Sequence, residues 1–323
     1  MKKGSKVSDK KCKVSVIVIT YNQENYIRHT LESIVNQKTD FDYEVLVGED
    51  KSPDNTAKII MEYAEKYPDK IVPFIREKNF GMVANEIDLL SRANGEYYAF
   101  LEGDDYWIDE HKLQKQVDYL DSHPECSACF GKVIIVDQDD KRNEEIEKYS
   151  AYWNGQGDYT IKVLEDDYKL PGQTGSSVYR KSMLDHAYKT AVNAGFDPKK
   201  FCDIYMVIMA LSQGKIHCLE DTLSAYRYVT TPDSGTWSSE NDSYSFKNLM
   251  NYLEGLGYME KVAADLGLSL DFDGRRKYEW DKLVSSKGQF SGENERIIKR
   301  TLIDDSNNKA SMRIHRICRF IKR

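Results

Sequence analysis

The chain has 323 residues, of which 40% are hydrophobic and 31% are charged, a composition typical of a globular protein. This length can bury a sizeable core and allows about two domains, or one large domain with an appendage. The net charge of −7 and the pI of about 5.5 argue against a general nucleic-acid binder.

The N-terminal residues, the hydropathy of the chain and the cysteines indicate the cellular compartment. Residues 1–13 are polar and basic without an apolar core, and no window approaches the roughly 18 apolar residues of a spanning helix. The six cysteines are scattered without a regular framework, which favours a reducing environment. We therefore expect a soluble, cytoplasmic protein.

The first half of the chain alternates strand-like and helix-like segments. Continuous apolar runs predict buried strands over residues 14–19, 43–47, 71–75, 97–101 and 128–137. Apolar residues at helical spacing predict helices over 25–37, 59–67, 82–92 and 113–120. This alternation predicts a doubly wound, Rossmann-like α/β sheet, in which ligands bind beyond the carboxyl ends of the strands.

Acidic residues follow two of these strands. The second strand ends in Gly48-Glu49-Asp50, and the strand over 97–101 ends in Glu102-Gly103-Asp104-Asp105. Several carboxylates at one point repel one another unless a cation or a hydrogen-bond donor relieves them. An acidic helix cap in a solvated turn is the alternative. We favour a site.

The later part of the chain changes character. Residues 201–211 predict a helix with Asp203 in its first turn, and 217–228 predict a last strand or a hairpin. The loop 230–239 is rich in Gly, Ser and Thr, and beyond about residue 242 the pattern is helical only. We predict a polar tail (1–13), an α/β domain (14–240) and a C-terminal helical appendage (241–323).

Four pieces together resemble the family 2 inverting glycosyltransferases, which adopt the GT-A fold. The pieces are the runs 14–22, 48–56 and 95–107, and Asp203 with the later Tyr226-Arg227. Their order and spacing carry the resemblance, since each alone is weak. The variant Glu-Gly-Asp-Asp-Tyr-Trp at 102–107 resembles enzymes that build bacterial surface polysaccharide.

The resemblance implies a role for each acid. Glu102 takes the first place of the family's D-x-D motif, near the ribose, and Asp104 takes the last place, holding Mn²⁺ or Mg²⁺ on the diphosphate. Asp105 would lie near the metal or the donor sugar, and Asp203 would be the catalytic base. The further residues implied to bind the nucleotide sugar are Thr20, Tyr21, Glu24, Asp50, Gly103 and Arg227.

Two tryptophans are candidates for the acceptor side. Trp107 either stacks on sugar or packs the loop, and Trp237 in the loop 230–239 could close over the site as part of a lid. In many relatives a metal-binding histidine stands two positions after the arginine of the Tyr-Arg pair. Here Tyr228 and Val229 follow Arg227, so that histidine is absent.

The resemblance implies transfer of a sugar, UDP-linked by family habit, to a hydroxyl of a glycan or lipid-linked acceptor. A divalent metal offsets the charge of the diphosphate leaving group, and a carboxylate takes the proton of the attacking hydroxyl. A nucleotidyltransferase is one alternative, although residues 20–23 lack the glycine-rich phosphate loop of that class. A non-catalytic nucleotide-sugar binding module is the other.

The C-terminal segment 308–323 combines basic residues with an apolar stripe at helical spacing, and it contains no acid. Such a helix in an acidic protein favours contact with an anionic membrane surface, where lipid-linked acceptors occur. We expect peripheral attachment to the inner face of the cell membrane. The alternative is a terminal helix packed on the protein.

Overall fold

The first strand, β1 (Val14–Thr20), lies inside a parallel half-sheet, where its apolar residues are buried on both faces. It pairs in parallel with β2 (Tyr43–Glu49) on one side and β4 (Tyr97–Glu102) on the other, and β3 (Ile71–Ile75) pairs with β2. The register places Thr20 beside Glu49 and Ile19 beside Glu102. The carboxyl ends of these strands therefore meet at one edge.

A mixed half-sheet extends from β4. It contains β5 (Tyr106–Trp107), β6 (Cys126–Val136), β7 (Gly157–Tyr159), β8 (Val178–Arg180) and β9 (Lys215–Arg227). Among the described residues the strands form one nine-stranded sheet in the order β3-β2-β1-β4-β8-β6-β9-β5, with β7 on β9. The computed structural model describes residues 12–148, 150–229 and 246–285. The predicted mixed α/β sheet is confirmed.

Helices follow most of the strands, as the alternation predicts. They are α1 (Ile27–Val35), α2 (Thr56–Lys66), α3 (Met82–Arg92), α4 (Lys112–Ser122), α5 (Glu144–Glu147), α6 (Ile161–Asp167), α7 (Lys181–Asn193) and α8 (Asp203–Gln213). Neither β5, which has only two residues, nor α7 was predicted.

The chain divides into two compact units, one of residues 1–160 and 169–240 and one of residues 161–168 and 241–323. The second unit contains α6, α9 (Phe246–Asp265) and α10 (Asp273–Ser285). Within it Tyr168 packs edge-on against Tyr252 and Phe272, and Arg276 pairs with Glu260. No pattern in the sequence indicated that residues 161–168 belong with the C-terminal helices.

Some predictions fall outside the described residues, among them the loop 230–239 with Trp237 and the basic segment 308–323. The domain boundaries near residues 13 and 240 also stay predictions. Within the part of the chain that is described, we find no helix with both the length and the apolar character needed to cross a membrane.

Lys112 at the start of α4 is a buried lysine whose charge should affect stability. Its side chain is fully enclosed, its Nζ donates a hydrogen bond of 3.2 Å to the Ser177 carbonyl, and Nζ lies 4.4 Å from the centroid of the Trp107 ring. Burial lowers its pKa from 10.5 to about 7. The unfolded chain therefore binds more protons than the folded chain between about pH 7 and 10.5.

We predict that Lys112→Met stabilises the protein most below pH 7. The advantage over wild type should shrink by about 1.4 kcal/mol per pH unit above pH 7, because the folded lysine then becomes neutral and its burial costs less. Urea unfolding of both proteins at pH 6, 7, 8 and 9 measures this difference. The exposed Lys58→Met is the control, and a pH-independent difference for Lys112→Met would contradict the prediction.

Candidate active site

The acidic loop after β4 is buried at the edge where the parallel strands end. Asp105 is only 1% exposed, and the N–H of Gly103 donates to the Ile19 carbonyl at 3.0 Å. A Cβ on Gly103 would lie 2.3 Å from Gln23 Oε1 and 2.6 Å from Thr20 Oγ1. Residue 103 must therefore be glycine for the loop to lie this close to β1.

Gln173, in the loop before β8, holds two of the acids together. Its amide Nε2 donates to Glu102 Oε2 at 2.9 Å and to Asp105 Oδ2 at 2.8 Å. Its Oε1 accepts the N–H of Gly175 at 2.6 Å, which fixes the orientation of the amide. One neutral side chain thus supplies donors to both carboxylates.

Arg227, at the end of β9, supports the same loop and is 2% exposed. Its backbone N–H donates to Asp105 Oδ1 at 2.8 Å, and its Nε donates to the Asp104 carbonyl at 2.9 Å. Its remaining nitrogens bond the Asp137 carbonyl and Asp140 Oδ1, at 2.8 and 2.5 Å. Each guanidinium nitrogen thus makes a bond within the protein, and through these bonds Arg227 positions the acidic loop in this structure.

The buried acids hold protons more tightly than free carboxylates do. Burial raises the pKa of Glu102 to about 7, and the pKa of Asp104 to about 6 although the Arg227 guanidinium opposes that shift. Burial, together with the charges of Asp104 and Glu102, raises the pKa of Asp105 well above its usual value. A cation placed here would be stabilised by the same charges that now disfavour ionisation.

Asp203 begins α8 and lies near enough to this cluster for its charge to act on Glu102. Its Oδ1 accepts the N–H of Ile204 at 2.7 Å, and burial raises its pKa. Its charge also raises the pKa of Glu102. The structure therefore brings Asp203 to the acids that lie about a hundred residues earlier in the chain.

Glu86 on α3 is a further acid of the cluster, and the sequence analysis did not single it out. Burial raises its pKa to about 8, and the charges of Glu102 and Asp203 contribute to the shift. Burial raises the phenol pKa values of two tyrosines, Tyr152 and Tyr226. The charges of nearby acids of the cluster raise these pKa values further. No local pattern marks Glu86 or Tyr152, whereas Tyr226 belongs to the Tyr-Arg pair that the sequence analysis singled out.

The loop after β1 lies beside the acids. Thr20 is buried and its hydroxyl donates to Gln23 Oε1 at 2.7 Å, while the Tyr21 side chain is 43% exposed. Glu24 Oε2 accepts the backbone N–H and the side-chain amide of Asn55, at 2.8 and 2.7 Å. Glu24 thus binds the residue before α2, and Tyr21 presents a free ring at this edge.

Asp50 follows β2 and is buried beneath the turn that begins α3. Its two carboxylate oxygens accept the N–H groups of Phe80 and Gly81 at 2.7 and 2.8 Å. Its own N–H donates to the Thr20 carbonyl at 3.1 Å. Asp50 therefore links the β1 edge to the start of α3, and its carboxylate is occupied by this link.

Trp107 packs in the hydrophobic core. The sequence analysis left packing and stacking on sugar as the two possibilities for this residue. Its ring is buried, and its indole N–H donates to the Gly175 carbonyl at 2.8 Å. The ring is therefore enclosed by the loop that carries Gln173 and has no free face for an acceptor.

The donor chemistry of the site fits a divalent metal that the substrate helps to hold. Within the described ranges, no three His, Cys, Asp or Glu side chains converge to form a metal cage. Mg²⁺ and Mn²⁺ need few protein ligands, because phosphate and water oxygens complete the shell. Asp104, a hard oxygen ligand at the open end of the sheet, suits such a partial site.

Comparison with solved structures defines the class of fold as GT-A. The first 349 residues of Staphylococcus aureus TarS, solved with UDP-GlcNAc, align with a TM-score of 0.56 and 22% identity over 89% of this chain and 76% of that one. The mannosyltransferase PcManGT of Pyrobaculum calidifontis, solved with GDP-Man and Mn²⁺, aligns with a TM-score of 0.53 and 16% identity over 91% and 81% of the two chains.

Residues 15–187 match glycosyl transferase family 2, and the chain belongs to this family. An uncharacterized protein of Mycobacterium tuberculosis, Rv1520, is 39% identical over 214 residues, which are 66% of this chain and 58% of that protein. The chain thus matches little more than half the length of that relative. The uncharacterized glycosyltransferase alr2836 of Nostoc is 29% identical over 83% of this chain and 84% of its own. The minor teichoic acid biosynthesis protein GgaB of Bacillus subtilis is 36% identical over 34% and 12%.

We predict that Arg227→Met lowers the free energy of unfolding by about 3–5 kcal/mol, because it leaves Asp104 and Asp105 buried without their counter-charge. Urea denaturation at pH 7 measures the loss. The control is Arg92→Met, which removes a half-exposed partner of Asp88 and should cost no more than about 1 kcal/mol. Equal losses in the two variants would contradict the buried role of Arg227.

Proposed function

We propose that the protein is a metal-dependent, inverting glycosyltransferase that moves a sugar from a UDP-sugar to a hydroxyl of a glycan or lipid-linked acceptor. The observation that carries the proposal is the buried acid cluster at the carboxyl edge of the parallel strands, with Asp203 facing it from α8. This edge is where open α/β sheets bind ligands. A donor and an acceptor could therefore meet between the acid cluster and Asp203.

On the donor side, the nucleotide would lie along the ends of β1, β2 and β4. Tyr21 offers an exposed ring for stacking, and Thr20 and Asp50 are buried at the strand ends. Glu102 would bind the ribose, and Asp104 would hold Mn²⁺ or Mg²⁺. Such an ion, when bound, offsets the charge that develops on the diphosphate.

On the acceptor side, Asp203 would take the proton of the attacking hydroxyl. Its pKa is raised by burial, so the ionised carboxylate is a stronger base than an exposed aspartate. Attack from the face opposite the nucleotide displaces it in one step and inverts the configuration at the anomeric carbon. As the acceptor oxygen bonds to the anomeric carbon, the bond from that carbon to the diphosphate oxygen breaks, and the nucleoside diphosphate leaves.

Two comparisons support the substrate class. TarS was solved with UDP-GlcNAc, and GgaB is named for minor teichoic acid biosynthesis. The TarS complex supports a uridine nucleotide as donor, and the name of GgaB supports a surface polymer as product. We therefore favour a hydroxyl of a surface polysaccharide or of its lipid-linked precursor as the acceptor.

We predict that UDP raises the melting temperature by about 5 °C or more when Mn²⁺ is present, and by less without it, because the ligand binds only the folded state. A thermal-shift screen of UDP, dTDP, GDP and CMP, each with and without Mn²⁺, measures this. Asp104→Asn is the matched variant and should lose the Mn²⁺-dependent part. If no nucleotide stabilises the wild type, the proposed function is wrong.

We predict that Asp203→Asn lowers the rate of sugar transfer by about a thousandfold while leaving UDP affinity within about twofold, because it removes the base and not the donor site. Transfer to the acceptor and calorimetric UDP binding are the two measurements. Asp197→Asn, six residues earlier and exposed, is the control. Unchanged transfer in Asp203→Asn would show that Asp203 is not the base, and a wild type that binds UDP but transfers no sugar would favour the non-catalytic binding module.

A further inference from the structure

A cavity of about 280 Å³ lies beside the acidic loop, and none of the acids of the cluster lines it. Its walls come from three segments, namely the start of α1, the turn 137–141 after β6 and the end of β9. Each lining residue carries a hydrogen-bonding group, and none of these residues, all in the described part of the chain, is aliphatic. They are Asn25, Tyr26, His29, Gln138, Asp140 and Arg227.

Contacts between the three segments hold the walls of the cavity in place. Arg227 is buried, its Nη2 donates to Asp140 Oδ1 at 2.5 Å, and its guanidinium carbon lies 4.4 Å from the centroid of the Tyr26 ring. The other carboxylate oxygen of Asp140 lies 3.5 Å from His29 Nδ1. His29 in turn stacks on the Tyr106 ring, with the ring centroids 3.9 Å apart. Asp140 thus joins the turn after β6 to both α1 and β9.

The cavity adjoins the acidic loop through residues that support this loop. The Nε–H of Arg227 donates to the Asp104 carbonyl at 2.9 Å, and its backbone N–H donates to Asp105 Oδ1 at 2.8 Å. The hydroxyl of Thr30, the residue after His29, donates to the Asp105 carbonyl at 2.7 Å. A ligand in the cavity would therefore contact the two elements, α1 and the end of β9, that hold the loop in place.

The charges of the walls favour a neutral ligand. A phosphate would meet the carboxylate of Asp140, and Asp137 and Asp139 lie in the same turn. A metal ion would meet the buried guanidinium of Arg227. An apolar ligand would remove the polar groups of the walls from water without giving them new hydrogen bonds. A neutral molecule with several hydroxyl groups fits, because amides and carboxylates offer such a molecule both donors and acceptors.

We propose that this cavity binds a neutral sugar residue of the acceptor glycan, other than the residue whose hydroxyl attacks. The inference rests on the proposed function and adds a second contact for the acceptor. In the proposed reaction the transferred sugar lies between Asp104 and Asp203, and neither of these lines the cavity. The volume is close to the lower limit of small-ligand sites, about 300 Å³, and suits one sugar ring. The exposed amides of Asn25 and Gln138 would bond its hydroxyl groups.

The test measures the binding of methyl glycosides of glucose, galactose, mannose, GlcNAc and rhamnose by ligand-observed NMR. UDP and Mn²⁺ are present, so that the donor site is filled. We expect the wild type to bind at least one glycoside with a dissociation constant in the millimolar range, as for other ligands of about a dozen heavy atoms. Asn25→Ala and Gln138→Ala should each raise this constant by about fivefold, the effect of one lost hydrogen bond.

The controls separate a contact with the glycoside from a disturbance of the fold or of the donor site. Asn36→Ala removes an exposed amide at the other end of α1 and should leave glycoside binding unchanged. In Asn25→Ala and Gln138→Ala, the affinities for UDP and for UDP-GlcNAc in Mn²⁺ should stay within about twofold of the wild-type values. Both side chains are exposed, so the melting temperature should change by no more than about 2 °C.

Three results would overturn the inference while leaving the proposed function intact. The first is a wild type that binds UDP but none of the glycosides. The second is glycoside binding that is unchanged in both alanine variants, which would place the glycoside elsewhere on the protein. The third is a loss of UDP-GlcNAc affinity without a loss of UDP affinity, which would assign the cavity to the donor sugar. A wild type that binds no nucleotide would overturn the proposed function and this inference with it.

Discussion

The burial of several carboxyl groups at one edge of the sheet is the constraint on which the site depends. Charges this close disfavour ionisation unless donors or cations oppose them. Gln173 bonds two of the acids with one amide, and Arg227 supplies the buried positive charge. Both come from the mixed half of the sheet, so that half is needed to support a site whose acids follow a parallel strand.

The same edge connects the parts that the proposed reaction needs. Asp50 ties the end of β2 to the start of α3, and α3 carries Glu86, a buried acid whose pKa the charges of Glu102 and Asp203 help to raise. A donor bound along the strand ends and an acceptor beside α8 would thus meet over groups that are already fixed. Holding such groups in place before substrate binds lowers the stability of the folded protein. This loss is common in sites that are preorganised for a reaction.

The roles that the resemblance implies for single residues stay predictions, and the contacts of these residues indicate what each can do. Tyr21 is exposed at the strand edge, while the carboxylates of Asp50 and Glu24 bind backbone groups of neighbouring turns. The guanidinium of Arg227 bonds Asp104 and Asp140 within the protein, and the ring of Trp107 is enclosed. These contacts favour supporting roles for the last two, since each of the three guanidinium nitrogens already makes a bond within the protein and the indole ring is enclosed.

The sequence by itself determined the parallel half-sheet and the place of its acids. Runs such as 14–19 and 97–101 are buried on both faces, and the acids that follow them must lie at the carboxyl edge. It also indicated the family, which the comparisons confirm. Only the tertiary structure decided which distant side chains meet those acids. Gln173, Glu86 and Tyr152 carry no local signal, because pairing across a sheet and packing of a helix depend on contacts between segments far apart in the chain.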